Sequence, residues 1–192
     1  SSAASDVYKR QGLKYTLFYD DLPEEFNGYK ISQISDIHSG SFDNKEKVEY
    51  GVKLINDQKS DVIMFTGDLV NRRTSEINPW KSTFSKLKAK DGIFSILGNH
   101  DYGDYTSWNS DEEKVNNFKK LIGYLTSQNY YVFRMGKTAN ERCNLRSDKF
   151  IDYPFSDNKS DFLDIYLSYR CQFCITTSAG IDSIAYVARK PM

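Results

Sequence analysis

The chain has 192 residues, and its 26 Lys plus Arg balance 26 Asp plus Glu, so no net field favours nucleic acid or an anionic membrane. Apolar residues make up 39% and the 11 glycines add about 6% more, the lower edge of globular composition and enough for one domain whose core needs no disulfides. No apolar run approaches the length of a membrane span and no basic-then-apolar leader opens the sequence, so the chain is expected to be soluble as it stands.

Residues 1–11, SSAASDVYKRQ, lack periodicity and read as a foreign leader outside the fold. In residues 13–19, Leu13, Tyr15, Leu17 and Tyr19 alternate as an edge strand would, and Pro23 and Gly28 then bracket a turn region. Residues 29–35 are a short β-favouring run ending at Asp36. Asp43 and Asn44 can cap a following helix with Val48, Val52 and Ile55 on one face, and Glu46 is placed for a capping box. Residues 61–66 form a second strand; its unbroken run of Val62, Ile63, Met64 and Phe65 predicts cover on both faces, and it ends at Gly67-Asp68. Trp80, Phe84 and Leu87 recur at helical spacing after Pro79, which suits a first helical turn.

A third strand over 93–97 runs into Gly98-Asn99-His100-Asp101. After a polar loop, Val115, Phe118, Leu121, Ile122 and Leu125 mark a helix, and residues 130–134 a fourth strand. The alternating order predicts an α/β domain, 12–134, with a largely parallel sheet, whose motif-bearing segments all lie at carboxyl ends of strands and can converge on one pocket. Beyond about Lys137 the pattern degrades. Residues 140–159 are polar and unpatterned, 171–177 and 184–188 are candidate strands, and 135–192 read as a divergent tail or the product of a frame slip after about Arg134. Of the three cysteines, Cys143, Cys171 and Cys174, the C-x-x-C pair reads as small side chains in an apolar segment, in preference to a redox or metal clip.

Three segments carry chemistry: Asp36-Ile37-His38, Gly67-Asp68 and Gly98-Asn99-His100-Asp101. They hold both of the chain's histidines, and their spacing is regular, 32 residues from Asp36 to Asp68 and 31 from Asp68 to Asn99. Two carboxylates about 5 Å apart repel by about 3 kcal/mol at an effective dielectric near 20, so a pocket gathering Asp36 and Asp68 needs a cation or a shared proton. A divalent metal is the simpler answer. His38 can add a nitrogen to the same ion, and Asn99 an amide oxygen to a second ion bridged by Asp68. His100 is then placed to protonate a leaving oxygen, with Asp101 fixing its tautomer. Arg72 and Arg73 can grip a substrate phosphate through paired hydrogen bonds, and Tyr102, Tyr105 and Trp108 either wall the pocket or pack a loop, packing being favoured. No G-x-G-x-x-G or Walker loop follows any strand, which sets aside a nucleotide-binding module.

Residues 29–131 resemble the calcineurin-like metallophosphoesterase family, whose D-x-H, G-D-x and G-N-H-D/E motifs are matched by Asp36, His38, Gly67, Asp68, Gly98, Asn99, His100 and Asp101. The strings QISDIHSG, FTGDLV and LGNHDYG look most like its bacterial, often membrane-anchored branch. The resemblance implies a four-layer α/β sandwich and a site for two divalent ions (Mn, Fe or Zn). Asp68 would bridge them, Asp36 and His38 bind the first, Asn99 the second, and His100 act as acid. The implied substrate is a phosphomonoester, a phosphodiester or a lipid-linked phosphate.

The departure is that family members carry further histidines downstream, including G-H-x-H, and none follows His100 here. The second ion is left with Asp68 and Asn99, and the fold is expected to be incomplete in its C-terminal half. Asp152, Asp157, Asp161, Asp164, Asp182, Cys171 and Cys174 offer substitutes, though solvated surface carboxylates are the expected fate. The competing expectation is a catalytically silent fold that binds one metal or a protein partner.

Overall fold

The computed structural model describes residues 12–20, 22–134, 142–160 and 162–163. Five short strands, β1 (Ile31–Ile34), β2 (Val62–Phe65), β3 (Ile93–Ile96), β4 (Tyr130–Arg134) and β5 (Phe150–Asp152), join one sheet in chain order, every neighbouring pair parallel. Helices α1 (Lys45–Asp57), α2 (Lys81–Phe84) and α3 (Asp111–Ser127) lie in the connections among the first four strands.

Parallel neighbours joined by right-handed crossovers in unbroken order place all their helices on one face of the sheet. The core agrees. Val48 and Val52 of α1, Phe84 and Leu87 at α2, and Phe118, Leu121, Ile122 and Leu125 of α3 gather with Ile63, Phe65, Ile93, Tyr130 and Val132 of the sheet in one buried cluster. Each fully covered Leu or Ile contributes about 1.5–3 kcal/mol of apolar burial. On the alternate residues, Phe94 and Tyr131 stack with ring centroids 5.1 Å apart, and Val62 is also buried. The interior strand β2 is therefore covered on both faces, as its unbroken apolar run predicts.

The caps set the helix starts. Asn44 accepts the Lys47 amide at the head of α1, and Ser110 accepts the Glu113 amide at the head of α3, each satisfying a backbone donor the helix cannot. Because Asn44 and not Asp43 is the cap, Glu46 falls one position short of a capping box. Pro79 sits inside a 3-10 helix, Thr74–Trp80, that precedes α2, not in an α-helical first turn.

Two further expectations fail. Residues 12–19 form no strand; Leu13, Tyr15, Leu17 and Phe18 are exposed, because alternation makes a strand only where a partner edge accepts its hydrogen bonds. Conversely, β5 arises in the polar stretch 140–159, where Phe150 pairs with Val132 and Asp152 with Arg134. The candidate strands at 171–177 and 184–188, and the Cys171–Cys174 pair, lie outside the described residues.

Candidate metal centre

All three motif segments follow the carboxyl ends of adjacent strands, Asp36 after β1, Asp68 after β2 and Asn99 after β3. Their loops are fastened by main-chain bonds that prolong the parallel ladder: Asp36 N–H donates to the Gly67 carbonyl (3.1 Å), His38 N–H to Asp68 (3.0 Å) and Ser39 N–H to Leu69 (2.9 Å). Asp36, His38 and Asp68 adopt left-handed backbone, with φ of 52°, 46° and 58°. Such conformations cost about 1–3 kcal/mol each and persist where the surroundings enforce them.

The glycines explain themselves by contact. A Cβ built on Gly67, whose φ is 107°, would lie 2.5 Å from the Gly98 nitrogen, and one on Gly98 would strike Asp68. The second and third loops interlock at these bare positions.

His38, Asp68 and His100 present ligating atoms that all lie within 4.8 Å of one another. The two imidazoles meet edge to face with centroids 4.6 Å apart, and Asp36 Oδ1 is 3.9 Å from His38 Nε2. Asp68 is buried, while Asp36 and Asn99 are exposed at the rim. Bonds of about 2.1 Å to one ion span at most about 4.2 Å between donors, so a contraction of about 0.6 Å seats a cation among the three groups. A buried carboxylate beside two imidazoles is a donor set suited to a borderline divalent metal, and the residues present fit one ion.

The tautomer of His100 is set by a residue the motifs do not include. His100 Nδ1 lies 2.7 Å from the Asn71 carbonyl; a carbonyl only accepts, so Nδ1 carries the hydrogen and Nε2 is left for a metal or a proton. Asp101, expected to do this, is elsewhere. It is fully buried, and its two oxygens accept amide hydrogens from Asp68 (2.8 Å), Leu69 (2.8 Å), Val70 (3.2 Å) and Gly98 (2.9 Å). Burial pushes its pKa up to about 7 against the pull of those amides. Asp101 is thus a clamp between the second and third loops. Asp68 completes the junction by accepting the His100 amide at 2.9 Å.

The Arg73 guanidinium is engaged by its own surroundings. Its guanidinium lies over Trp108 at 4.1 Å, donates to the Ser107 carbonyl at 2.9 Å and pairs with Glu113 at 3.4 Å. Arg72 is exposed and its guanidinium has no partner among the described residues. Tyr102 packs edge-on against Phe118, and Trp108 donates to the Gly103 carbonyl, so both pack the loop. Tyr105 alone of the three faces the motif, stacked on His100. In the tail, Asp152 takes the Arg134 guanidinium and the Cys143 amide in a half-buried cluster, and Asp157 is exposed. Asp161, Asp164 and Asp182 lie outside the described residues. Neither Asn71 nor Glu76, which accepts the amides of Asn71, Arg72 and Arg73, carries a motif signal; the short polar tail after Gly67-Asp68 was the only hint.

The family model for calcineurin-like phosphoesterases matches residues 29–178. A metallophosphoesterase of Bacillus subtilis, YkuE, is 33% identical over 97 residues, 48% of this chain and 33% of its own length. The transmembrane protein with metallophosphoesterase domain of Danio rerio is 31% identical over 91 residues, covering 46% and 21%. The UDP-2,3-diacylglucosamine pyrophosphatase LpxG of Chlamydia muridarum is 33% identical over 99 residues, covering 50% and 30%. The chain thus spans a third or less of the length of these relatives. No solved structure matches it significantly.

Proposed function

We propose that this chain, which belongs to the calcineurin-like phosphoesterase family, hydrolyses a phosphate ester at the pocket formed by Asp36, His38, Asp68, Asn99 and His100. The observation that carries the reading is convergence: polar groups of His38, Asp68 and His100, from three separate strand ends, meet within 4.8 Å, the first two on backbone held in a costly conformation. A divalent ion bound there supplies an acidified water and positive charge against the phosphate oxygens.

The chain's own groups do the rest. Asp36, His38 and Asp68 would hold the first ion, and Asp68 and Asn99 would offer oxygens to a second; manganese, iron and zinc all suit these donors. With Nδ1–H tied to the Asn71 carbonyl, His100 serves not as a ligand but, in its imidazolium form, as the acid that gives its Nε2 proton to the leaving oxygen, and Arg72 pairs with the non-bridging oxygens. The substrate class is a phosphomonoester, a phosphodiester or a lipid-linked phosphate; the pyrophosphatase among the relatives favours the last. No helix of the described residues is long and apolar enough to cross a membrane, while the Danio rerio relative is described as a transmembrane protein, so a lipid-borne substrate would be met at a membrane surface.

A second reading has its own observation. With no histidine after His100, the second ion has two family donors, and a silent fold holding one metal follows if that is too few. The purified chain, incubated with Mn2+ and an aryl phosphate beside Asp68→Asn, decides. Turnover that disappears in the variant supports the phosphoesterase; turnover unchanged in the variant refutes it. No turnover with about one metal per chain supports the silent fold.

A further inference from the structure

Tyr105 is exposed at 55%, yet its hydroxyl and ring make their polar and aromatic contacts with two motif residues. Asn99 Nδ2 donates to its hydroxyl at 2.6 Å, and its ring stacks on His100 with centroids 4.3 Å apart and an interplanar angle of 22°. We infer that Tyr105 is a positioning residue that fixes the Asn99 amide with its oxygen free for a cation and pins the His100 imidazole, coupling a metal ligand to the proton donor. The inference rests on the metal-dependent reading of the pocket.

An exposed amide turns over easily, and only its oxygen can ligate a cation. A phenol can either accept from Nδ2 or donate to Oδ1. A cation selects the first arrangement, since it attracts Oδ1 and repels the amide nitrogen. What Tyr105 adds is an acceptor at the place Nδ2 must then occupy, on a rigid ring with little entropy to lose. The same ring covers one face of His100, whose Nδ1 edge is already held by Asn71. The imidazole is therefore fixed along an edge and over a face.

The loop is shaped for this return. Gly103, at φ 75°, donates its amide to the His100 carbonyl (3.0 Å), and Trp108 closes the turn on the Gly103 carbonyl (2.7 Å). A Cβ on Gly103 would lie 2.6 Å from the Trp108 ring. The chain thereby folds back on the tetrapeptide and sets Tyr105 beside residues it has just left.

Two variants separate the two contacts. Tyr105→Phe keeps the stacked ring and loses the hydroxyl; Tyr105→Leu loses both. Mn2+ affinity is read by calorimetric titration, and the imidazole C–H resonances by NMR of the metal-free chain, where two histidines give two assignable sets. Tyr105→Phe should bind Mn2+ about 10-fold more weakly, as loss of a residue that orients a ligand typically does, with an unchanged melting temperature and unmoved histidine signals. Tyr105→Leu should show the same weakening and, in addition, lose the ring-current shift on one histidine. Unweakened Mn2+ binding in Tyr105→Phe, or unmoved histidine resonances in Tyr105→Leu, overturns the assignment. Failure of the unsubstituted chain to bind Mn2+ instead overturns the metal reading beneath it.

Discussion

Asp101→Asn tests the clamp most directly, because it keeps the shape of the side chain and changes what it can accept. Each carboxylate oxygen takes two amide hydrogens, Leu69 and Val70 on one, Asp68 and Gly98 on the other. Replacing one oxygen by an amino group strands two buried N–H donors and points a third kind of donor at them. At about 1–3 kcal/mol for each stranded group, the loss is about 2–6 kcal/mol, out of a total stability of about 5–15 kcal/mol. For a chain of this size a central loss of about 4 kcal/mol lowers the melting temperature by about 8–16 °C. Urea unfolding at pH 8, where Asp101 is ionised, read by tryptophan fluorescence, measures it. The metal-free imidazole nitrogens should show His100 still protonated on Nδ1, since Asn71 holds that hydrogen. A loss below about 1 kcal/mol together with a changed His100 tautomer would refute the clamp and restore Asp101 as the partner of the imidazole.

Gly67→Ala should be worse for the site than its size suggests: the new Cβ lies 2.5 Å from the Gly98 nitrogen at a φ of 107°, so the chain loses at least about 1–3 kcal/mol, measured by thermal melting, and loses Mn2+ binding with it. Arg72→Ala and Arg73→Ala should diverge. Removing the side chain of Arg72, whose guanidinium has no partner among the described residues, raises KM for an aryl phosphate and leaves the melting temperature alone. Removing Arg73, stacked on Trp108, lowers the melting temperature and leaves KM alone; equal KM effects in both would show that the guanidinium stacked on Trp108 reaches substrate after all.

The sequence speaks clearly where an apolar period is strong. Val62 to Phe65 and the stripe from Phe118 to Leu125 specify a buried strand and a one-faced helix, because side chains that must leave water leave a spacing behind them. The strand ends were legible too, since Asp36, Asp68 and Asn99 each break such a run. What the pattern could not carry is anything made by the main chain. The Asn71 carbonyl that orients His100 has no side-chain signature, and the four amides that capture Asp101 belong to residues chosen for other reasons. Asp101 looked like a catalytic partner because it adjoins His100 in sequence, whereas neighbours along a turn point different ways. The alternation from Leu13 to Tyr19 misled for the opposite reason: period two reports which residues are able to pair, and the partner edge is not written beside it. Strand β5 is held by register with β4 and by the Arg134–Asp152 pair, both distant in sequence.

The three loops are sewn together mainly by peptide groups and by the carboxylates of Asp101 and Asp68, and the other groups that would grasp an ion add one bond, from His100 to the Asn71 carbonyl. The scaffold therefore survives exchange of its reactive side chains: Asp36, His38, Asn99 and His100 can be traded for others with the seams intact. A protein built this way can shed ligands by drift and remain a folded socket, and a designer can refit that socket for a different ion by rewriting four positions.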